Sequence, residues 1–209
     1  MEITFKSLHH TNIVFVFDER KFVMPNNTAL LSLYKGQKTG GANFADDVTL
    51  RTKVLDLPGL KMQVSVEPNR LRVDDNSQVE LRDSNLIKEA LNIYHELFSE
   101  TPLTGFGFNF DIYYQFRDVL MIKEFFAHFM DSKILEKANL LDIGVQFTLE
   151  KEEGKRRETY FLKVTAPLEV AVHVNSHFFV SKILEPLDIQ ELFETCYEEI
   201  DDIAYNLKF

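Results

Sequence analysis

From Gly105 to Phe116 the chain alternates with almost no errors. Phe106, Phe108, Phe110, Ile112, Tyr114 and Phe116 share one parity, and Gly105, Gly107, Asn109, Asp111, Tyr113 and Gln115 share the other. Successive side chains of a strand point to opposite faces. The stretch LTGFGFNFDIYYQF, 103–116, therefore predicts one long strand with an apolar face and a small, polar face.

The same reading extends along the chain. Residues 2–8 alternate weakly and predict an edge strand, which His9-His10-Thr11-Asn12 interrupts. The run IVFVF, 13–17, predicts a buried strand. Asn26-Asn27-Thr28 can cap a short helix through ALLSLY. Residues 34–47, with three glycines and few apolar groups, read as a mobile loop. A strand over about 48–57 follows. Pro58-Gly59 marks a turn, and 60–67 with 70–73 form a hairpin about Pro68-Asn69.

Leu86, Ile87, Ala90, Leu91, Tyr94, Leu97 and Phe98 fall at helical spacing and predict a helix over 85–99. Asp118 can cap a second helix over 119–130. Ile143, Val145, Phe147 and Leu149 predict a strand. The charged turn 151–157 and TYFLKVTA complete a second hairpin, and 168–182 predict a last strand. Asp188 with Glu191 reads as a capping box for a final helix, whose inner face carries Ile189, Leu192, Phe193, Cys196, Tyr197, Ile200, Ala204 and Leu207.

No internal repeat and no linker stand out. The expectation is a single α+β domain over 1–209, with a mostly antiparallel or mixed sheet and about three helices packed on one face.

Composition sharpens this picture in three ways. There are 19 Phe, 7 Tyr and no Trp, which points to a thick aromatic core. Thirty-three acidic against 23 basic residues give a net charge of −10. The one basic cluster, Lys155-Arg156-Arg157, is flanked by Glu152, Glu153 and Glu158, so nucleic acid is not an expected partner. The single cysteine, Cys196, sits among apolar and acidic neighbours and reads as a core residue rather than a reactive thiolate. No signal-peptide pattern and no apolar run of 18 residues occur, so the expectation is a soluble, cytoplasmic protein with no membrane partner.

Candidate chemistry concentrates on the polar face of the sheet. Asn109 and Asp111 lie on one predicted strand, and His173, Asn175 and His177 on another. Side by side they would line a polar cleft, with Gly105 and Gly107 leaving room for a ligand or another backbone. The competing reading is the solvated face of a half-covered sheet. His173 and His177 cannot share a metal, because four residues of strand separate them by about 13 Å. His9-His10 is a weak metal or proton-transfer candidate; adjacent histidines in a strand point to opposite faces, which favours an exposed turn. GQKTGGAN, 36–43, lacks the Gly-Lys-Ser/Thr ending and following helix of a phosphate loop. No catalytic motif, metal set or cofactor fingerprint is present, so no cofactor is expected.

The hairpin ending in VEPNRLRV (66–73), the helix after it, the central Gly-aromatic strand and the last amphipathic helix together resemble a family of uncharacterised bacterial proteins. Gly107 stands where that family carries an Arg two residues after its strand glycine. The resemblance implies no activity. The sequence thus favours a non-enzymatic binding or protein-interaction module, with self-association to cover the sheet edges. The alternative is a small-molecule or hydrolytic pocket on the polar face, centred on Asp111 and His173.

Overall fold

The computed structural model describes residues 3–35, 42–137 and 143–206. In chain order the elements are β1 (Ile3–Phe17), α1 (Asn27–Ser32), β2 (Asn43–Asp47), β3 (Thr52–Leu57), β4 (Met62–Glu67), β5 (Arg70–Asp75) and α2 (Leu86–Phe98). They continue as β6 (Leu103–Phe116), α3 (Val119–Phe126), α4 (Ser132–Lys137), β7 (Gly144–Lys151), β8 (Arg156–Ala166), β9 (Glu169–Phe178) and α5 (Pro186–Asn206). The nine strands form one antiparallel sheet in the order β2-β3-β4-β5-β1-β6-β9-β8-β7. The class is α+β, as the periodicity predicts, but the described residues hold five α-helices rather than about three. None of the described helices is long and apolar enough to cross a membrane.

The chain runs a similar course twice. A long strand (β1) is followed by a helix, a meander (β2 to β5) whose last strand pairs back on β1, and an amphipathic helix, α2. Then β6 is followed by α3 and α4, a meander (β7 to β9) whose last strand lies beside β6, and α5. The sequence shows no such repeat, because only the order of elements recurs, with one strand fewer and one helix more in the second pass.

Several local expectations change. The weak strand at the N-terminus, the His9–Asn12 interruption and IVFVF are one continuous 15-residue strand, β1. It lies inside the sheet, between β5 and β6, rather than at an edge. Of the loop expected over 34–47, residues 36–41 lie outside the described residues, and so does most of the phosphate-loop-like segment. Asn43–Asp47 form β2. α5 begins at Pro186, whose missing N–H costs nothing in a first helical turn. Asp188 therefore lies inside that turn instead of capping it. Other caps form as expected: Asn26 Oδ1 accepts from Ala29 N at 2.8 Å, and Asp118 Oδ1 accepts from Met121 N at 3.0 Å.

The contacts divide the chain into two compact units. The first comprises Met1–His9, Asn109–Ser176 and Thr195–Phe209. Its core takes Phe110, Ile112, Tyr114 and Phe116 from the buried parity of β6, with Tyr160, Leu162 and Val164 from β8 and Val170, Val172 and Val174 from β9. Phe110 meets Tyr197 of α5 with ring centroids 5.6 Å apart, and Phe116 meets Phe125 of α3 at the same distance. The second unit comprises His10–Phe108 and His177–Glu194. There Ile13, Phe15 and Phe17 of β1 face α2, with Phe15 5.2 Å from Tyr94 and Phe17 5.1 Å from Phe98. Phe106 stacks on Phe178 at 5.0 Å, and Phe108 packs on Phe193 at 5.2 Å. Each such ring withdrawn from water contributes about 1.5–3 kcal/mol, which is why the phenylalanine-rich composition matters to the fold.

Candidate functional site

In the first unit, β6 and β9 bring four of the expected polar residues together in two cross-strand pairs. Asn175 Nδ2 donates to Asn109 Oδ1 at 2.6 Å, and His173 Nδ1 lies 2.7 Å from Asp111 Oδ1. Their neighbours Phe110 and Ile112, and Val172 and Val174, point into the core. The period of two thus turns all four polar groups to the opposite face. The His173–Asp111 pair is open to water, with side chains 46% and 37% exposed. A carboxylate can only accept from Nδ1, so that ring nitrogen is the donor of the pair. Farther along β6 the ring of Tyr113 lies 4.2 Å from that of His9, and Gln115 Nε2 donates to Glu169 at 3.2 Å.

His177 belongs to the second unit. It lies against Gly105: a Cβ on that glycine would stand 2.9 Å from His177 Nε2 and 2.6 Å from the carbonyl oxygen of Phe178. What approaches Gly105 is thus backbone and an imidazole of the neighbouring segment. Also in this unit, His10 lies in β1 and is bonded to β5 rather than exposed in a turn. Its Nε2 lies 2.8 Å from Asp74 Oδ1, which also accepts from Arg72 Nε at 2.8 Å. Among the described residues no three His, Cys, Asp or Glu side chains gather as a metal ion would require.

The most deeply buried polar chemistry lies where the charge pattern of the sequence predicts an exposed turn. In the first unit the Glu158 side chain is 0% exposed, and it accepts from Arg156, from Tyr160 Oη at 2.7 Å and from Ser176 Oγ at 3.3 Å, with Lys151 Nζ 2.8 Å away. Glu199 of α5 closes the network, 2.7 Å from both Lys151 Nζ and Arg156 Nη2. Two cations thus meet these two carboxylates, with the exposed Glu152 3.8 Å from Arg156 Nη1, and the ion pairs tie α5 to β7 and β8. Burial and the carboxylate of Glu158 push the Tyr160 hydroxyl upward. Burial alone would lower Lys151, but its bonds to Glu158 and Glu199 outweigh that and raise it. Burial lifts the nearby Cys196 thiol to about 12, against the pull of Arg156 and a bond with Ser176. A signal for this cluster existed. Arg156 and Glu158 continue the parity of Tyr160, Leu162 and Val164, so the period of two already directed them inward.

The third feature is the outer edge of β7. β7 pairs with β8 in the register Gly144↔Lys163 to Lys151↔Arg156, and no described strand lies beyond it. Val164 N donates to Ile143 O at 3.2 Å, which makes the odd-numbered residues those bonded to β8. By the alternation of an antiparallel ladder, the N–H and C=O groups of Gly144, Gln146, Thr148 and Glu150 point away from β8. These four residues are exposed, whereas Val145, Phe147 and Leu149 are half-buried. Phe147 lies between Tyr160, at 5.0 Å, and Phe129, at 5.4 Å.

Comparison with known proteins found no matching protein-family model, no matching curated protein and no matching solved structure.

Proposed function

We propose that this chain is a binding module without enzymatic chemistry of its own, which takes an extended segment of a partner protein as an added strand along β7. The observation that carries the reading is the outward row of backbone donors and acceptors at Gly144, Gln146, Thr148 and Glu150. Main-chain hydrogen bonds supply affinity in this mode, and alternate side chains supply selectivity. The half-buried Val145, Phe147 and Leu149 offer an apolar row that a partner strand can extend. Edges of natural sheets are commonly blunted by proline or by a bulge, and β7 contains neither proline nor a break in its register.

A displayed library of random peptides, selected on the intact chain, tests this. Selected peptides are expected to be extended and alternately apolar, and to lose binding to Gln146→Pro. That substitution removes an outward N–H while leaving the bonds to β8 in place. Peptides that bind Gln146→Pro as tightly as the parent chain would sink the reading.

A second reading keeps a small-molecule or hydrolytic pocket on the polar sheet face, and the Asp111–His173 hydrogen bond favours it. It expects a ligand whose stabilisation of the chain in a thermal-shift screen disappears in both Asp111→Ala and His173→Ala. A ligand response indifferent to both substitutions removes it.

A further inference from the structure

Resting on the strand-addition reading, we infer that the partner of β7 is β7 of a second copy of this chain, paired antiparallel about a two-fold axis at Phe147. Three observations lead there. The outward-facing residues are Gly144, Gln146, Thr148 and Glu150, so a new ladder must pair even positions with even positions. Two identical strands then use all four outward residues in only one register, in which Gly144 meets Glu150, Gln146 meets Thr148 and Phe147 meets Phe147.

That register is chemically self-complementary. Each Glu150, whose carboxylate takes a bond from Arg157 Nη2 at 3.1 Å, faces a glycine rather than the other carboxylate. Gln146 and Thr148 face one another as two neutral hydrogen-bonding groups. On the opposite face, Val145 meets Leu149 and the two Phe147 rings meet at the axis. The stack of Phe129, Phe147 and Tyr160 within one chain would thereby continue into the next. An isologous contact of this kind closes on itself and stops at a dimer.

The experiment is mixed-cysteine cross-linking combined with solution mass. Gln146→Cys and Thr148→Cys place thiols on exposed side chains, and Cys196 is buried and does not compete. Mixed under mild oxidation, the two variants are expected to form a disulfide-linked pair. Either one alone is not, because like positions are offset diagonally by about 7–8 Å and a disulfide needs Cα atoms within about 7 Å. Phe147→Cys alone is expected to cross-link to itself, since non-hydrogen-bonded pairs bring Cα atoms to about 4.5 Å. Light scattering is expected to give twice the 24.4 kDa chain mass, and Gln146→Pro to return the monomer.

A monomer across the concentration series, or cross-linking by Gln146→Cys alone, overturns the self-pairing. Selected peptides that still need an intact edge would then leave the strand-addition reading standing. A dimer unaffected by Gln146→Pro lies elsewhere on the chain and also refutes this inference.

Discussion

Replacing Glu158 by leucine tests whether the buried charge network holds its unit together as a unit. The carboxylate is fully buried and is approached by Arg156, Lys151, Tyr160 and Ser176. Its removal takes the one fully buried carboxylate from the guanidinium of Arg156, whose side chain is 3% exposed, and leaves it the partly exposed Glu199 and, at 3.8 Å, the exposed Glu152. Lys151, Arg156, Glu158 and Glu199 sum to zero, and Glu158→Leu leaves one cation in excess among them, offset only from the solvent side by Glu152. Breaking a buried pair at one partner costs about 3–5 kcal/mol, because the remaining charge is uncompensated. Glu199 still neutralises part of it, so the lower end, about 3 kcal/mol, is expected. That is roughly a 150-fold shift in the folding equilibrium. Arg156→Met/Glu158→Leu restores neutrality through Lys151 and Glu199 and is expected to be no less stable than Glu158→Leu. The corresponding coupling is about 2 kcal/mol. Urea unfolding followed by circular dichroism measures both, with an unchanged native spectrum as the control. A Glu158→Leu loss below about 0.5 kcal/mol would refute the reasoning, given what a stranded buried charge costs. So would a double variant that loses the sum of the two single losses.

Three further outcomes are expected. Burial raises the Glu199 carboxyl, but the bonds and charges of Lys151 and Arg156 outweigh it and hold the group below its ordinary 4.5. The stability it contributes is therefore complete above pH 4.5 and is lost as the pH falls through the lower folded value, so Glu199→Gln should flatten the fall in urea midpoint in that acid window. Cys196, 1% exposed and with its thiol raised to about 12, should react with a thiol reagent at pH 8 only after unfolding; rapid labelling of the native chain would contradict its burial. Gly105→Ala should cost about 1–3 kcal/mol in a thermal melt, because the new Cβ meets the carbonyl oxygen of Phe178 at 2.6 Å and backbone must shift.

The fold is most legible in the sequence where periodicity is strong. The apolar parity of 106–116 is buried throughout, and the opposite parity supplied Asn109 and Asp111 for pairing with Asn175 and His173. Contacts that depend on strand register are not legible in the sequence. His10 read as an exposed turn residue because its partner, Asp74, is 64 positions away and meets it only once β5 pairs with β1. Arg156 read as surface because a charge run beside a turn is ordinarily solvated. Its parity points inward, but its partner Glu199 comes from α5, 43 positions away.

By itself, then, the sequence determined the local elements: the two-residue period of β6, the 3.6-residue period of α2 and the caps of α1 and α3. These depend on neighbours a few residues apart and on steric rules that hold in any context. Only the tertiary structure decided that β1 lies inside the sheet, that the chain traces its strand–helix–meander–helix course twice, and that β7 is the last of the described strands, with the amides of its even-numbered residues turned away from β8. Those outcomes depend on which strands pair. Pairing is settled by the burial of surfaces far apart in the chain, and a linear pattern of polar and apolar positions does not encode it.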